Sequence, residues 1–288
     1  MIPESIKKFL TDQLDISVSG STSLSGGDIN RAAKLNTNRG ELFLKWNRNA
    51  PADMFEKEDK GLSLLRKGSG KIKVPGTLAH HKPEGEIPGF LLMEFIRSGS
   101  ASPADEFRFG AELAGLHNQT TSHFGLDHDN YIGRLPQSNK HHENWSAFFI
   151  DERIKPQIIS AIDSGRLSAN ILKHCERFYA ELESIFPDCK PSLLHGDLWG
   201  GNYFFDTNGT GVLIDPAVYY GHPEMDLAFT RMFGGFSGHF YEGYESVTAL
   251  TDGFDDRIPV YNLYPLLVHV NLFGGGYAMQ ARRFLEKY

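Results

Sequence analysis

Apolar residues recur at helical spacing through Ile6, Phe9, Leu10 and Leu14, and the period then shortens towards two around Ile16 and Val18. This predicts a helix followed by an edge strand. Two strand-like runs, residues 32–35 and 41–46, flank a turn at 36–40, and a Gly/Ser-rich stretch at 19–28 precedes them. Residues 53–66 set Met54, Leu62, Leu64 and Leu65 among many charges, which predicts a helix stopped by Gly68 and Gly70. Strands are expected at 77–80 and 90–93, and the serine-rich stretch 98–102 reads as a connector. Beyond it the periodicity turns helical at 103–118, 145–164, 168–185, 224–233 and 241–251, and again towards the C-terminus. Only 202–215 interrupts that run, with strand-like 203–205 and 212–214 on either side of a turn. The pattern predicts an α+β chain in two parts, a small mixed lobe at 1–97 and a larger, mostly helical lobe at 98–288.

Composition narrows the function classes. The 288 residues are 40% hydrophobic and 12% aromatic, ordinary for a globular protein and enough to bury a core. A balance of 29 basic against 36 acidic residues, formally −7, argues against broad capture of nucleic acid or of an anionic membrane. The most apolar stretch, 258–279, is broken by Pro259, Asn262, Pro265, His269, Asn271 and three successive glycines, so it reads as core helices rather than a membrane span. The first ten residues include Glu4 and no long apolar run, so no signal peptide is expected. Cys175 and Cys189 are too few for a disulfide framework and read as buried free thiols, which fits a cytoplasmic protein.

The chemistry concentrates in Leu194-His195-Gly196-Asp197-Leu198-Trp199-Gly200-Gly201-Asn202, followed by Val212-Leu213-Ile214-Asp215-Pro216. Phosphoryl transfer needs a carboxylate beside the attacking hydroxyl and oxygen ligands for magnesium beside the phosphates. Asp197 suits the base and Asn202 a metal ligand, while Asp215, closing a short hairpin, would return a second oxygen ligand to the same place. Any one of the three could merely cap a turn, but a base and two ligands in this order fit a kinase. Lys45 lies in an apolar strand between Leu44 and Trp46, where it fits a phosphate-bridging ammonium oriented by a helix carboxylate, either Glu58 or Glu56. The alternative is an edge-strand lysine facing water. Gly26 and Gly27, ahead of Lys45, would let backbone N–H groups approach phosphates, although a plain hairpin loop looks the same. Met93, Glu94, Phe95 and Ile96 run from the last small-lobe strand into the connector, where hinge backbone can pair with an adenine edge.

Trp199, beside the expected base, must pack inward or stack on a flat or cyclic substrate. Trp199 and His195 are the candidate substrate contacts, and His195 equally suits a loop-orienting hydrogen bond. Asp226 is expected to buttress the loop from a helix start. The pairs His80-His81 and His141-His142 lack the spaced partners of a zinc site and read as solvated loop residues. The short run from Asp215 to the helix start at Glu224 leaves no room for a long phosphorylatable activation loop, which disfavours a protein kinase.

With these residues the chain resembles, over nearly its whole length, the fructosamine kinase (ketosamine-3-kinase) family. That family is a branch of the aminoglycoside phosphotransferase and choline kinase group, with a two-lobed protein-kinase-like fold. The resemblance is carried by Ser25-Gly26-Gly27-Asp28-Ile29-Asn30, Phe43-Leu44-Lys45, and Phe124-Gly125 through Asn130-Tyr131-Ile132-Gly133 to Asn139. It is carried further by the 194–202 segment with Ile214-Asp215-Pro216-Ala217, and by Tyr219-Tyr220-Gly221-His222-Pro223-Glu224-Met225-Asp226-Leu227-Ala228. It implies Asp197 as proton acceptor, Asn202 and Asp215 as magnesium ligands, Lys45 on the α- and β-phosphates, and residues 93–96 at the adenine. The reaction implied is ATP-dependent, Mg2+-assisted phosphorylation of the 3-hydroxyl of a ketosamine, on a small molecule or a glycated protein lysine, in deglycation. The 130–139 segment and Trp199 would shape the acceptor site. No cysteine stands in the glycine loop, so no redox-linked dimer is expected there, and a monomer is favoured. An aminoglycoside or amino-alcohol kinase is the alternative enzyme, and a catalytically inactive pseudokinase is the alternative outside enzymes. The presence of Lys45, Asp197, Asn202 and Asp215 together argues against the last. Fructosamine, ribulosamine and erythrulosamine remain open as acceptors.

Overall fold

The computed structural model describes residues 2–24 and 30–288. In the small lobe, β1 (Val18–Leu24), β2 (Arg31–Thr37), β3 (Gly40–Asn47), β4 (Thr77–His81) and β5 (Gly89–Glu94) form one antiparallel sheet in the order β1-β2-β3-β5-β4. Strand alternation sorts β3 between two faces. Leu42, Leu44 and Trp46 pack with Leu35, Phe90 and Leu92 against Ile6 and Leu10 of α1 (Glu4–Leu14). Phe43 and Lys45 face the other side, which α2 (Met54–Gly68) covers with Leu62 and Leu65. The edge position expected for the first strand holds. Lys45, by contrast, lies on the central strand, which removes the reading of an edge lysine facing water.

The larger lobe begins at α3 (Pro103–His117), started by a capping box in which Ser102 Oγ accepts from Asp105 N at 3.3 Å and Asp105 accepts from Ser102 N at 2.8 Å. A hairpin of β6 (Asn130–Ile132) and β7 (Leu135–Gln137) follows. Residues 145–163 form one helical stretch of mixed winding: α4 (Trp145–Phe148), a π-helical turn Phe149–Ile154, and α5 (Lys155–Asp163). Then come α6 (Leu172–Ile185), β8 (Ser192–Leu194), β9 (Tyr203–Phe205), β10 (Gly211–Leu213) and β11 (Tyr219–Gly221). The chain ends with α7 (Glu224–Met232), α8 (Gly238–Glu245), α9 (Phe254–Tyr261), α10 (Leu263–Phe273) and α11 (Gly276–Leu285).

Four three-residue strands, β6, β7, β8 and β11, are absent from the periodicity reading; β9 and β10, equally short, were found only because a turn between two apolar runs marks them. Helix α8 starts and ends earlier than the expected 241–251. Its glycines hid it, and they are there for packing. A Cβ on Gly243 would stand 1.9 Å from Phe107 O, and one on Gly110 of α3 equally close to Phe240 O, so the two helices meet backbone to backbone. His80 and His81 lie in β4 rather than in a loop, with His81 stacked on Phe90.

The larger hydrophobic core runs from Leu62, Leu65, Leu91 and Met93 of the small lobe into the helical lobe, so packing continues across residue 97. Backbone bonds from Lys73 N to Gly211 O and from Leu213 N to Lys73 O, both 2.9 Å, clip the β9–β10 hairpin to the segment after α2, and the Lys73–Asp206 ion pair reinforces them. Cys175 is buried and Cys189 half-buried, both as free thiols. Among the described residues no helix is long and apolar enough to cross a membrane.

Candidate active site

Strand β8 pairs with β11, Leu194 opposite Tyr219, and the chain must turn sharply as it leaves. Gly196 makes the turn at φ +80°, where a Cβ would lie 2.1 Å from Ala217 O. The first turn of α7 then fixes the loop: the Asp226 carboxylate accepts from His195 N at 2.7 Å and from Gly196 N at 2.9 Å. This is the buttress expected of Asp226. His195 itself is fully buried, its Nε2 on Ile214 O at 2.8 Å and its Nδ1 accepting from Asp197 N at 3.2 Å. Burial pushes its pKa down, so the ring is neutral. The expectation that His195 touches substrate is therefore corrected: both ring nitrogens are committed, and the ring ties the loop to Ile214, just before Asp215.

Asp197, so placed, is held by Asn202, whose Nδ2 donates to Asp197 O at 2.9 Å and to Asp197 Oδ2 at 2.8 Å. That leaves Oδ1 as the amide's remaining polar atom. Ile214 N bonds Asn202 O at 3.0 Å, which brings the residue after Ile214 back beside the loop. Asp215 adopts a left-handed φ of +53°, and its Oδ1 lies 3.0 Å from Lys45 Nζ. Lys45 Nζ also meets both oxygens of Glu58, at 3.0 and 3.1 Å. Glu58 is thus the partner of Lys45, and Glu56 pairs with Lys60 on the exposed side of α2. Burial opposes the Lys45 charge, but the Asp215 and Glu58 carboxylates outweigh it and hold the ammonium pKa above its usual value. Asp197 goes the other way for a carboxylate. Burial, with the Asp215 charge adding, pushes its pKa up to about 7 against the Asn202 hydrogen bond.

These groups line one cavity of about 640 Å³ between the lobes. Ala32, Phe43, Lys45 and Glu58 form its small-lobe side, and Asp197, Asn202, Asp215, Trp199 and residues 130–133 its other side. Tyr131 joins the two sides, its hydroxyl donating to Asp53 at the start of α2 at 2.6 Å. Trp199 is partly exposed and meets Phe233 edge-on at 6.0 Å. Phe233, His269, Phe273 and Tyr277 complete the wall. Sequence reading missed these four, because their helical spacing is that of core positions and nothing in the pattern marks a ring as exposed. Met93, Glu94, Phe95 and Ile96 are not among the lining residues, which stop at Phe43, the β3 partner of Met93. Gly26 and Gly27 lie outside the described residues.

A carboxylate at an open cavity, held by an amide, with a lysine on a small antiparallel sheet paired to a glutamate on the helix that covers it, is the constellation of a protein-kinase-like phosphotransferase. The sequence model of the fructosamine kinase family matches residues 2–288. The chain belongs to that family. An Enterococcus faecium relative, named as a ketoamine kinase, is 40% identical over 266 residues, covering 91% of this chain and 93% of its own. The chloroplastic protein-ribulosamine 3-kinase of Arabidopsis thaliana is 36% identical, covering 92% of this chain and 81% of its own. A solved Thermobifida fusca structure, named as a fructosamine-3-kinase, superposes with a TM-score of 0.86 at 30% identity over 99% of this chain and 98% of that one. The aminoglycoside phosphotransferase APH(4)-Ia, solved with AMP-PNP and hygromycin B, shares the fold at a TM-score of 0.66 and 17% identity, with 99% and 98% covered. The protein-kinase-like α+β fold expected for the family is the one this chain has.

Proposed function

We propose that this fructosamine kinase family member transfers the γ-phosphoryl group of ATP to the 3-hydroxyl of a ketosamine, on a small amine or a glycated lysine. The observation that carries the reading is Asp197, held at 2.8 Å by Asn202 in the same cavity as Lys45, Glu58 and Asp215. Residues 1–97 are the nucleotide lobe. Lys45, oriented by Glu58, meets the α- and β-phosphates, and the adenine sits beneath Ala32 and Phe43, beside the hinge at residues 93–96. Asn202 Oδ1 and the Asp215 carboxylate are hard oxygen donors lining the same cavity, a set that would suit magnesium. When bound, the ion neutralises charge on the transferring phosphate.

Residues 98–288 bring the acceptor. Asp197 takes the proton of the 3-hydroxyl as its oxygen attacks the γ-phosphorus, and ADP leaves. Trp199 lies two residues from Asp197 and offers an apolar face to the sugar-amine, with the wall at 130–133 beside it.

Asp197→Asn keeps an acceptor for the Asn202 amide and removes the base. Expected is a fall in kcat of at least about a hundredfold with a fructosyl-lysine derivative, while nucleotide binding persists in calorimetry. Undiminished turnover takes Asp197 out of the base role. A coupled ATP-consumption screen across ketosamines, aminoglycosides and choline tests the acceptor, and turnover confined to an aminoglycoside overturns the ketosamine reading while leaving the fold intact.

A further inference from the structure

Opposite the small-lobe sheet, the cavity is walled by rings from separate segments: Trp199 after β8, Phe233 just past α7, His269 and Phe273 of α10, and Tyr277 of α11. Several are unusually open for aromatic side chains, with Phe233 44% and Phe273 50% exposed, which marks a binding wall rather than a core. His269 sits at the centre of the group, its ring 5.2 Å from Phe233, 5.6 Å from Phe273 and 5.0 Å from Tyr277.

The hydrogen bond on the other side of that ring decides its tautomer. Nδ1 lies 2.7 Å from Pro265 O, a carbonyl that only accepts, so Nδ1 carries the proton and Nε2 keeps its lone pair. Burial lowers the pKa and keeps the ring neutral. Imidazole nitrogen is a stronger acceptor than the indole or phenol groups around it. No lysine or arginine lines this wall among the described residues; Lys45 and Lys57, the lining cations, belong to β3 and α2. Ring faces attract positive charge, and a lone pair in their midst takes an N–H proton. The wall thus suits a protonated amine.

We propose that His269 Nε2 accepts a hydrogen bond from the ammonium N–H of the acceptor's amine arm, which makes His269 the residue that tells an amine-bearing sugar from a plain one. The inference rests on the ketosamine reading above. In such an acceptor the amine nitrogen is bonded to C1, three bonds from the carbon bearing the 3-hydroxyl, and Asp197, Trp199 and His269 line the same cavity, so a hydroxyl at Asp197 and an amine arm on this wall belong to one site.

The experiment uses the whole enzyme, ATP and a matched acceptor pair: Nα-acetyl-fructosyl-lysine and its analogue with an ether oxygen in place of the amine nitrogen. Wild type should use the amine with a KM at least about tenfold below that of the ether. His269→Phe keeps the ring packing and deletes the lone pair. It should raise the amine KM to the level of the ether, leaving the ether KM and the ATP KM within about twofold, and His269→Gln should recover part of the loss. An unchanged amine KM in His269→Phe, or an equal rise for both acceptors, overturns the assignment. Should His269→Phe fail to fold, the wild-type ratio and the Gln variant decide instead, and equal KM values for amine and ether in wild type overturn it. If wild type turns over neither acceptor, the same amine and ether pair is run with ribulosyl- and erythrulosyl-lysine; turnover of none of these ketosamines overturns the ketosamine reading itself, and this inference with it.

Discussion

Trp199 keeps its place over the cavity because Gly201 has no side chain. A Cβ at Gly201 would stand 2.3 to 2.7 Å from three atoms of the indole. Gly201 is exposed, and its conformation lies outside the left-handed region, so an alanine there strains only the indole. Gly201→Ala should therefore displace Trp199 and raise the acceptor KM about tenfold, with the ATP KM unchanged and the melting temperature within about 2 °C. Unaltered acceptor kinetics would take Trp199 out of the acceptor site. At this scale the site was partly legible. Asp197, Asn202 and Asp215 stand close in sequence, and Lys45 and Glu58 follow strand and helix phase, so their meeting in one cavity could be anticipated. His195 could not be placed, because a loop histidine that touches substrate and one that ties down the loop read alike until its two partners are known. Phe233, Phe273 and Tyr277 were hidden because exposure is a property of tertiary packing.

The π-helical turn Phe149–Ile154 was invisible among helical residues, and it does what a regular helix would not. It delivers Arg153 into full burial among Tyr219 at 4.0 Å and Phe148 at 4.5 Å, with no carboxylate partner among the described residues. The guanidinium bonds Ser138 O at 2.6 Å and Asn139 Oδ1 at 2.8 Å. Asn139 and Gln137 in turn meet Asn130 Oδ1, at 3.0 and 2.8 Å, and Asn130 and Gln137 hold Val218 O and Ala217 O. One arginine thus supports both the β6–β7 wall and the chain just after Asp215. Arg153→Met fills much of the volume but leaves these acceptors buried and unpaired, so unfolding in urea should show a loss of about 2–4 kcal/mol. Arg153→Lys should recover only part, since an ammonium cannot span both acceptors. A loss below about 1 kcal/mol for Arg153→Met would show that the network holds without it. Long amphipathic elements such as α1, α2 and α3 were legible because their phase persists over several turns. The short strands β6, β7, β8 and β11 and the bounds of α8 were not, since they are set by pairing and glycine contact.

At the scale of the molecule, the order of small sheet then helices predicted the two-lobed fold. The periodicity could not show that one core spans both lobes, because it reports which face is buried and not what buries it. That shared core holds a charge-sensitive group in His222, 2% exposed, with its ring near Tyr261 at 5.4 Å and Trp145 at 6.0 Å. Burial pushes its pKa down from 6.5 to about 3, so the folded state keeps it neutral. The unfolded chain takes up that proton as soon as pH falls through 6.5. Below that value the unfolded state binds more protons than the folded one, and stability present above pH 6.5 is lost progressively towards pH 3. The slope from this residue approaches about 1.4 kcal/mol per pH unit, or about 2 kcal/mol by pH 5. His195, also buried and lowered, adds in the same direction. His222→Asn removes the titration and leaves a side-chain oxygen near Glu224 N, which now donates to His222 Nδ1 at 3.1 Å. The variant should be less stable at pH 7 through lost packing, yet its urea midpoint should fall less between pH 7 and pH 5 than that of wild type. Parallel loss in the two proteins would mean that His222 is already charged in the folded state, or that other groups govern the acid limb.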